Sequence, residues 1–186
     1  MTRFEVTATP IAGVQVITRK RVADERGFLE RVYDSCDLQK ILPDCTIQQV
    51  NRTHTKLAGT VRGLHIQLPP HDEAKIVSCI KGRVFDVAVD LRKNSPTFLQ
   101  WFGCELSDRN QKSMLIPPGC AHGVQTLEMD CELFYLHTSL FSPESEAGLN
   151  PRSAFVGVKW PMPISQLSER DVNETSDPIL FSGISW

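Results

Sequence analysis

The chain has 186 residues, a formal net charge of −2 and 41% hydrophobic residues, enough to bury a core in a single domain spanning 1–186. The near-neutral balance argues against a nucleic-acid partner, because tracking phosphates takes clustered Lys and Arg. No apolar run approaches the roughly 20 residues that cross a bilayer, and residues 1–9 lack a signal-peptide core, so the expectation is a cytoplasmic protein that does not contact membranes.

Apolar and polar residues alternate over 14–18 and 28–33, the period of a half-buried strand. Residues 35–42 fit a short helix that Pro43 ends. Runs 76–80 and 84–91 read as strands joined by a hairpin at Lys81-Gly82. Strands are predicted over 98–106 and 114–116, with 107–111 as a single helical turn between them. The last strands are 123–127 and 131–139. From Ser142 on, Pro, Ser and acidic residues take over, with isolated apolar anchors such as Trp160 and Ile179. This stretch reads as a tail wrapped over the rest. Short strands at regular spacing, with Gly and Pro between them, predict an all-β sandwich or barrel with a few short helices. None of the six cysteines forms a Cys-x-x-Cys pair. They read as reduced, structural thiols.

Four stretches carry residues able to do chemistry. In Arg62-Gly63-Leu64-His65-Ile66-Gln67, strict alternation sends Arg62 and Leu64 one way and His65 and Gln67 the other. His65 is either a base or a histidine satisfied within the fold. In Pro117-Pro118-Gly119-Cys120-Ala121-His122-Gly123, a turn delivers an imidazole at the start of a strand, and Gly123 would let a ligand or backbone come close. A metal site on these two strands would need a His-x-His pair and a downstream Glu. The chain offers His65-Ile66-Gln67, so no metal is expected. Tyr135 shares a strand face with Leu133 and His137, and is either core or a proton donor. Lys75 opens a buried-looking strand and is either a solvated strand end or an oxyanion stabiliser.

These segments, with Asp24-Glu25-Arg26-Gly27-Phe28, Gln49-Val50-Asn51, 82–90, Ser95-Pro96-Thr97-Phe98, Trp160-Pro161 and Leu167-Ser168-x-x-Asp171, resemble the dTDP-4-dehydrorhamnose 3,5-epimerase family from about Val14 to Leu180. The resemblance implies a cupin-type jelly-roll barrel (a double-stranded β-helix). It also implies a homodimer with exchanged N-terminal strands and no cofactor. The implied substrate is a nucleotide-diphospho-4-keto-6-deoxyhexose, in deoxysugar or lipopolysaccharide biosynthesis. By resemblance His65 is the base, Asp171 orients it, Tyr135 returns a proton from the opposite face and Lys75 steadies the enolate oxygen. Arg62 and His122 would line the sugar pocket. Arg26, Arg31, Gln49, Asn51 and Arg170 complete the expected substrate contacts.

The chain departs from the family pattern at Arg31, where a Glu is usual, at Leu140, where an aromatic is usual, and at Leu136, where a Lys is usual. A Glu accepts a hydrogen bond from thymine N3–H, whereas an Arg only donates. Arg31 therefore leaves two readings open: drift at an exposed contact, or a CDP-linked or other non-thymidine substrate epimerised at one carbon. A non-catalytic sugar-nucleotide-binding barrel and a related ketoisomerase are the rival functions.

Overall fold

The computed structural model describes residues 3–43, 45–173 and 182–185; Ile179 and Leu180 lie outside them. The chain opens with β1 (Phe4–Ala8) and β2 (Gln15–Arg19), then a separate two-stranded hairpin, β3 (Arg21–Asp24) with β4 (Gly27–Glu30). Helix α1 (Ser35–Ile41) starts where the Asp34 carboxylate accepts the N–H groups of Cys36 and Asp37, both at 3.1 Å. Such a cap is worth about 1 kcal/mol. Strands β5 (Gln49–Thr55), β6 (Val61–Gln67), β7 (Lys75–Lys81) and β8 (Arg83–Asp90) follow. Then come β9 (Trp101–Ser107), β10 (Lys112–Ile116), β11 (Cys120–Thr126) and β12 (Cys131–His137). The tail adds β13 (Glu146–Gly148) and the short helix α2 (Glu169–Asn173).

Two antiparallel sheets pack face to face, one ordered β1-β2-β10-β7-β12-β5 and the other β13-β6-β11-β8-β9. Strand alternation sorts their side chains into three layers. Val77, Met114 and Leu133 from one sheet meet Val84, Leu106 and Val124 from the other inside the barrel. The outer face of the five-stranded sheet (Leu64, Val87, Val89) is covered by tail residues Leu149, Val156, Trp160 and Ile184. The outer face of the six-stranded sheet (Ile17, Ile76, Leu115, Leu136) is covered by Leu38 and Ile41 of α1. The described part of the tail thus wraps the barrel as expected, pairing β13 with β6 and bridging Thr60 to Gln166.

Four local expectations are corrected. Lys81-Gly82 is no hairpin: β7 and β8 lie in different sheets, and Gly82 (φ 79°) is a corner packed against Cys131. The strand expected over 28–33 stops at Glu30, because Arg31 pairs with the helix-capping Asp34. The strand expected from residue 98 begins at Trp101, after Leu99 turns the chain at φ 61°. Residues 107–111 are a turn rather than a helical one, anchored by Asn110 Oδ1, which accepts N–H groups from Ser107 and Lys112 at 3.0 and 3.1 Å.

The fifth correction matters most for function. Arg62 and Leu64 do not share a face. In the pairing of β6 with β11, His122 faces His65 but Gly123 faces Gly63, so β6 carries one extra residue. Such a bulge resets the alternation. Leu64 enters the outer core, while Arg62, His65 and Gln67 all line one cavity. Gly63 makes this possible. It sits at φ 104°, and a Cβ there would lie 2.4 Å from the His122 carbonyl oxygen. Gly123 gives the expected close approach, to the Arg62 backbone carbonyl and to Leu64. We expect Gly63→Ala to lower unfolding stability by about 3 kcal/mol, as strained positions with backbone clashes do. Urea denaturation checks this; a change under about 0.5 kcal/mol would mean that the bulge relaxes without cost.

Candidate active site

Beside the apolar core, the two sheets enclose a cavity of about 320 Å³. One wall is built by β6 and β11, which present Arg62, His65, Gln67 and His122. The facing wall is built by β5, β7 and β12, which present Gln49, Asn51, Thr53, Lys75, Tyr135 and His137. The tail closes one side with Ser168, Arg170 and Asp171.

His65 is tied to the tail. Its Nε2 lies 2.7 Å from Asp171 Oδ1, and Asp171 is only 3% exposed. The Asp171 backbone N–H donates to Ser168 Oγ at 3.0 Å. Burial would raise the Asp171 carboxyl. Hydrogen bonds from His65, Ser168 and the Gly63 backbone outweigh it, together with the His65 charge, and hold it below its ordinary 3.8. A carboxylate that stays ionised on one imidazole nitrogen fixes the tautomer and raises the basicity of the other.

Deeper in the barrel, His122 Nε2 meets Asp86 Oδ1 at 2.7 Å, with Asp86 fully buried. The His122 ring stands edge-on to Tyr135, centroids 5.9 Å apart. Burial, and then the Asp86 charge, push the Tyr135 phenol well above its ordinary value. Tyr135 is therefore held in its protonated form at neutral pH. Lys75 Nζ lies 3.1 Å from Glu73 Oε1, on the same wall as Tyr135. Arg62 Nε donates to Thr55 Oγ1 at 3.0 Å, which holds its guanidinium at the cavity edge.

Of the residues expected from the sequence, His65, Asp171, Tyr135, Lys75, Gln49, Asn51, Arg62, His122 and Arg170 all line this one cavity. Two stand elsewhere. Arg26 sits at the tip of the β3–β4 hairpin, its side chain 85% exposed and paired with Asp24. Arg31 is engaged with Asp34 at 2.9 Å, outside the cavity lining. Residues not singled out as site groups also line the cavity: Glu73, His137 and Phe141; Asp86 stands behind His122, off the lining. Asp86 and His137 had a signal, since each is polar at an inward-facing strand position. Phe141 lines the cavity one residue beyond Leu140, and its N–H donates to Gln49 Oε1 at 3.1 Å. An aromatic side chain thus lines the cavity one position after Leu140. Leu136 faces the outer core, so a Lys there is no loss to this cavity. Among the described residues, no group of three His, Cys, Asp or Glu side chains is spaced to hold a metal ion.

Comparison with known proteins matches residues 8–176 to the family model for dTDP-4-dehydrorhamnose 3,5-epimerase. The dTDP-4-dehydrorhamnose 3,5-epimerase of Salmonella typhimurium is 38% identical over 94% of this chain and 94% of its own. A dTDP-4-dehydrorhamnose 3-epimerase of Streptomyces niveus is 35% identical over 87% of this chain and 78% of its own. The solved structure of the Legionella pneumophila 3,5-epimerase, in complex with dTDP-4-keto-L-rhamnose, superposes with a TM-score of 0.89 at 33% identity, over 95% of this chain and 96% of that one.

The depressed Asp171 value sets a pH dependence. A group whose folded pKa lies below its unfolded value stabilises above the unfolded value and loses that contribution as pH falls through the folded one. The stability advantage of the native chain over Asp171→Asn should therefore shrink as pH falls through and below the ordinary carboxylate value of 3.8. Urea midpoints at stepped pH read it; a constant difference across that value would rule out an ionic contact.

Proposed function

We infer the reaction from one premise: the chain belongs to the dTDP-4-dehydrorhamnose 3,5-epimerase family. It is a cupin-type isomerase that epimerises a nucleotide-linked deoxysugar. The substrate we propose is a dTDP-linked 4-keto-6-deoxyhexose, as in the names of its relatives. The observation that carries the chemistry is the opposition of two walls: an imidazole held by an ionised carboxylate on one, a protonated phenol and an ammonium on the other. Inversion at carbon needs removal on one face and delivery on the other.

In this reading His65 takes the proton from a carbon next to the C4 ketone. The C–H electrons form a carbon–carbon double bond, and the carbonyl pair moves onto the C4 oxygen. Lys75 steadies that enolate, as a positioned cation in a water-poor site does. Tyr135 gives its proton to the opposite face, and the ketone re-forms. His65 then loses a proton to solvent and Tyr135 regains one. A positioned acid or base contributes about 10²–10⁴-fold each. Arg62, His122 and Arg170 hold the sugar and its phosphates, and Gln49 and Asn51 with Phe141 face the base.

Arg31 carried the non-thymidine reading, but it lies outside the cavity lining, and the relatives named above are named for dTDP-sugars, so dTDP is the nucleotide we put forward. A homodimer accounts for Arg26. The hairpin that carries it stands apart with Val22, Phe28 and Leu29 more than half exposed, which suits exchange onto a second copy. The working setting we propose is cytoplasmic deoxysugar synthesis for surface polysaccharide such as lipopolysaccharide.

Incubation in D₂O with dTDP-4-keto-6-deoxyglucose, read by NMR, tests the reaction. We expect deuterium at C3 and C5; label at one carbon alone would make this a single-site epimerase. His65→Asn should slow exchange by about 10²–10⁴-fold. Tyr135→Phe should keep exchange and lose inversion. No exchange by the native chain would leave a sugar-nucleotide-binding barrel in its place. Light scattering should give twice the chain mass, and Phe28→Ser with Leu29→Ser should yield monomers that bind dTDP more weakly. A native monomer would defeat the exchange.

A further inference from the structure

The wall that carries Lys75 and Tyr135 holds an ion network that the steps above do not use. Glu73 bridges two neighbours, with Oε1 3.1 Å from Lys75 Nζ and Oε2 2.8 Å from His137 Nδ1. The Glu73, Lys75 and His137 side chains are 7, 10 and 14% exposed. The register explains the cluster. Lys75 and His137 are direct partners across the β7–β12 ladder, where opposite side chains lie about 5 Å apart. Two potential cations therefore meet in a dry place, and Glu73 reaches between them from the segment before β7. Burial would raise the Glu73 carboxyl, but His137 and Lys75 outweigh burial and hold it below its ordinary value, so it remains an anion.

His137 extends the network to the phenol. As the next inward residue after Tyr135 on β12, its ring stacks on the tyrosine, centroids 6.0 Å apart and planes 19° apart. Its Nε2 lies 3.4 Å from Asn51 Nδ2, and Asn51 is the cross-strand partner of Tyr135. With Nδ1 held by Glu73 and Nε2 facing Asn51, the imidazole is fixed on both sides. Of the charged and titratable groups of the opposite wall, Arg62 and His65 share the cavity outside this network, while the His122 ring, held by Asp86, meets Tyr135 edge-on with centroids 5.9 Å apart.

We propose that Glu73 and His137 are positioning residues: Glu73 holds the Lys75 ammonium where the C4 oxygen gains charge, and His137 packs the Tyr135 ring into its delivering orientation. This rests on the epimerase reading. A lysine stem has many rotamers, and an ammonium free to wander would have to reorganise at the moment of reaction. A carboxylate already bound to it removes that step, which is the condition for strong oxyanion stabilisation. A stacked imidazole likewise limits the phenol to one tilt at a wall it must serve from a set direction.

The test uses the full chain with dTDP-4-keto-6-deoxyglucose in D₂O. It compares native protein, Glu73→Gln, Lys75→Met, the double variant and His137→Ala, with melting temperatures alongside. Gln matches Glu in shape and removes only the charge, so the fold should survive. We expect Glu73→Gln to lower kcat about 10-fold with KM within about 2-fold, the signature of an interaction that matters in the transition state. In the Lys75→Met background the same change should cost nothing more, since groups that act through one another are not additive. His137→Ala should lower the ratio of inversion to exchange, which reports on Tyr135 alone. Multiplicative losses in the double variant, or kcat and KM falling together with melting temperature, would overturn the positioning role. Native exchange with Glu73→Gln indistinguishable from native would overturn this inference and leave the epimerase standing. A native chain that exchanges no deuterium would overturn both.

Discussion

The cavity exists in its observed form because β6 is one residue out of step with β11. The offset is concentrated at Gly63, where the β11 backbone comes so close that no side chain fits. On its two sides the strand points the same way, so Arg62 and His65 reach one space while Leu64 turns outward into the tail-covered core. The same backbone step donates the Gly63 N–H to Asp171. One glycine thus bears on the direction of His65 and on the place of Asp171, which accepts its N–H.

Buried charge is the second organising theme. Removing a carboxylate or an ammonium from water costs several kcal/mol unless the remaining partners are well placed. Here each is matched: Asp171 with His65, Asp86 with His122, and Glu73 with both Lys75 and His137. The pairs are distributed by wall. Two histidine–carboxylate pairs occupy the five-stranded sheet and its tail. The third, joined by a lysine, occupies the six-stranded sheet beside Tyr135. A small molecule between them meets a basic nitrogen on one side and proton-bearing groups on the other.

The departures from the family pattern look different once the side chains are placed. Leu136 is an outer-core residue beneath α1, so its change alters packing on that face and leaves the cavity unaltered. Leu140 is exposed, and the aromatic beside the cavity is its neighbour Phe141. Arg31 serves the start of α1 through Asp34. Relatives of the chain include both 3,5-epimerases and a 3-epimerase.

The all-β class, the helix at α1, the wrapped tail and the inward face of β12 were legible in the sequence. Strand period, capping chemistry and apolar spacing are local properties, and a chain displays them without folding. The shared cavity residues were legible through their motifs. The alternation at Arg62 and Leu64 was misread, because a bulge is a property of two strands and only one was in view. The Lys81-Gly82 corner was misread for the same reason: a turn signal does not say which strand each arm will pair with. Glu73 had no signal at all. It is an ordinary acidic residue in a loop, and it gains meaning only when β7 and β12 come into register and place Lys75 against His137. What the sequence determined by itself was which residues could do chemistry and which faces would be buried. Which of them meet was decided by sheet pairing, since hydrogen-bonded register brings residues distant in the chain to about 5 Å of each other.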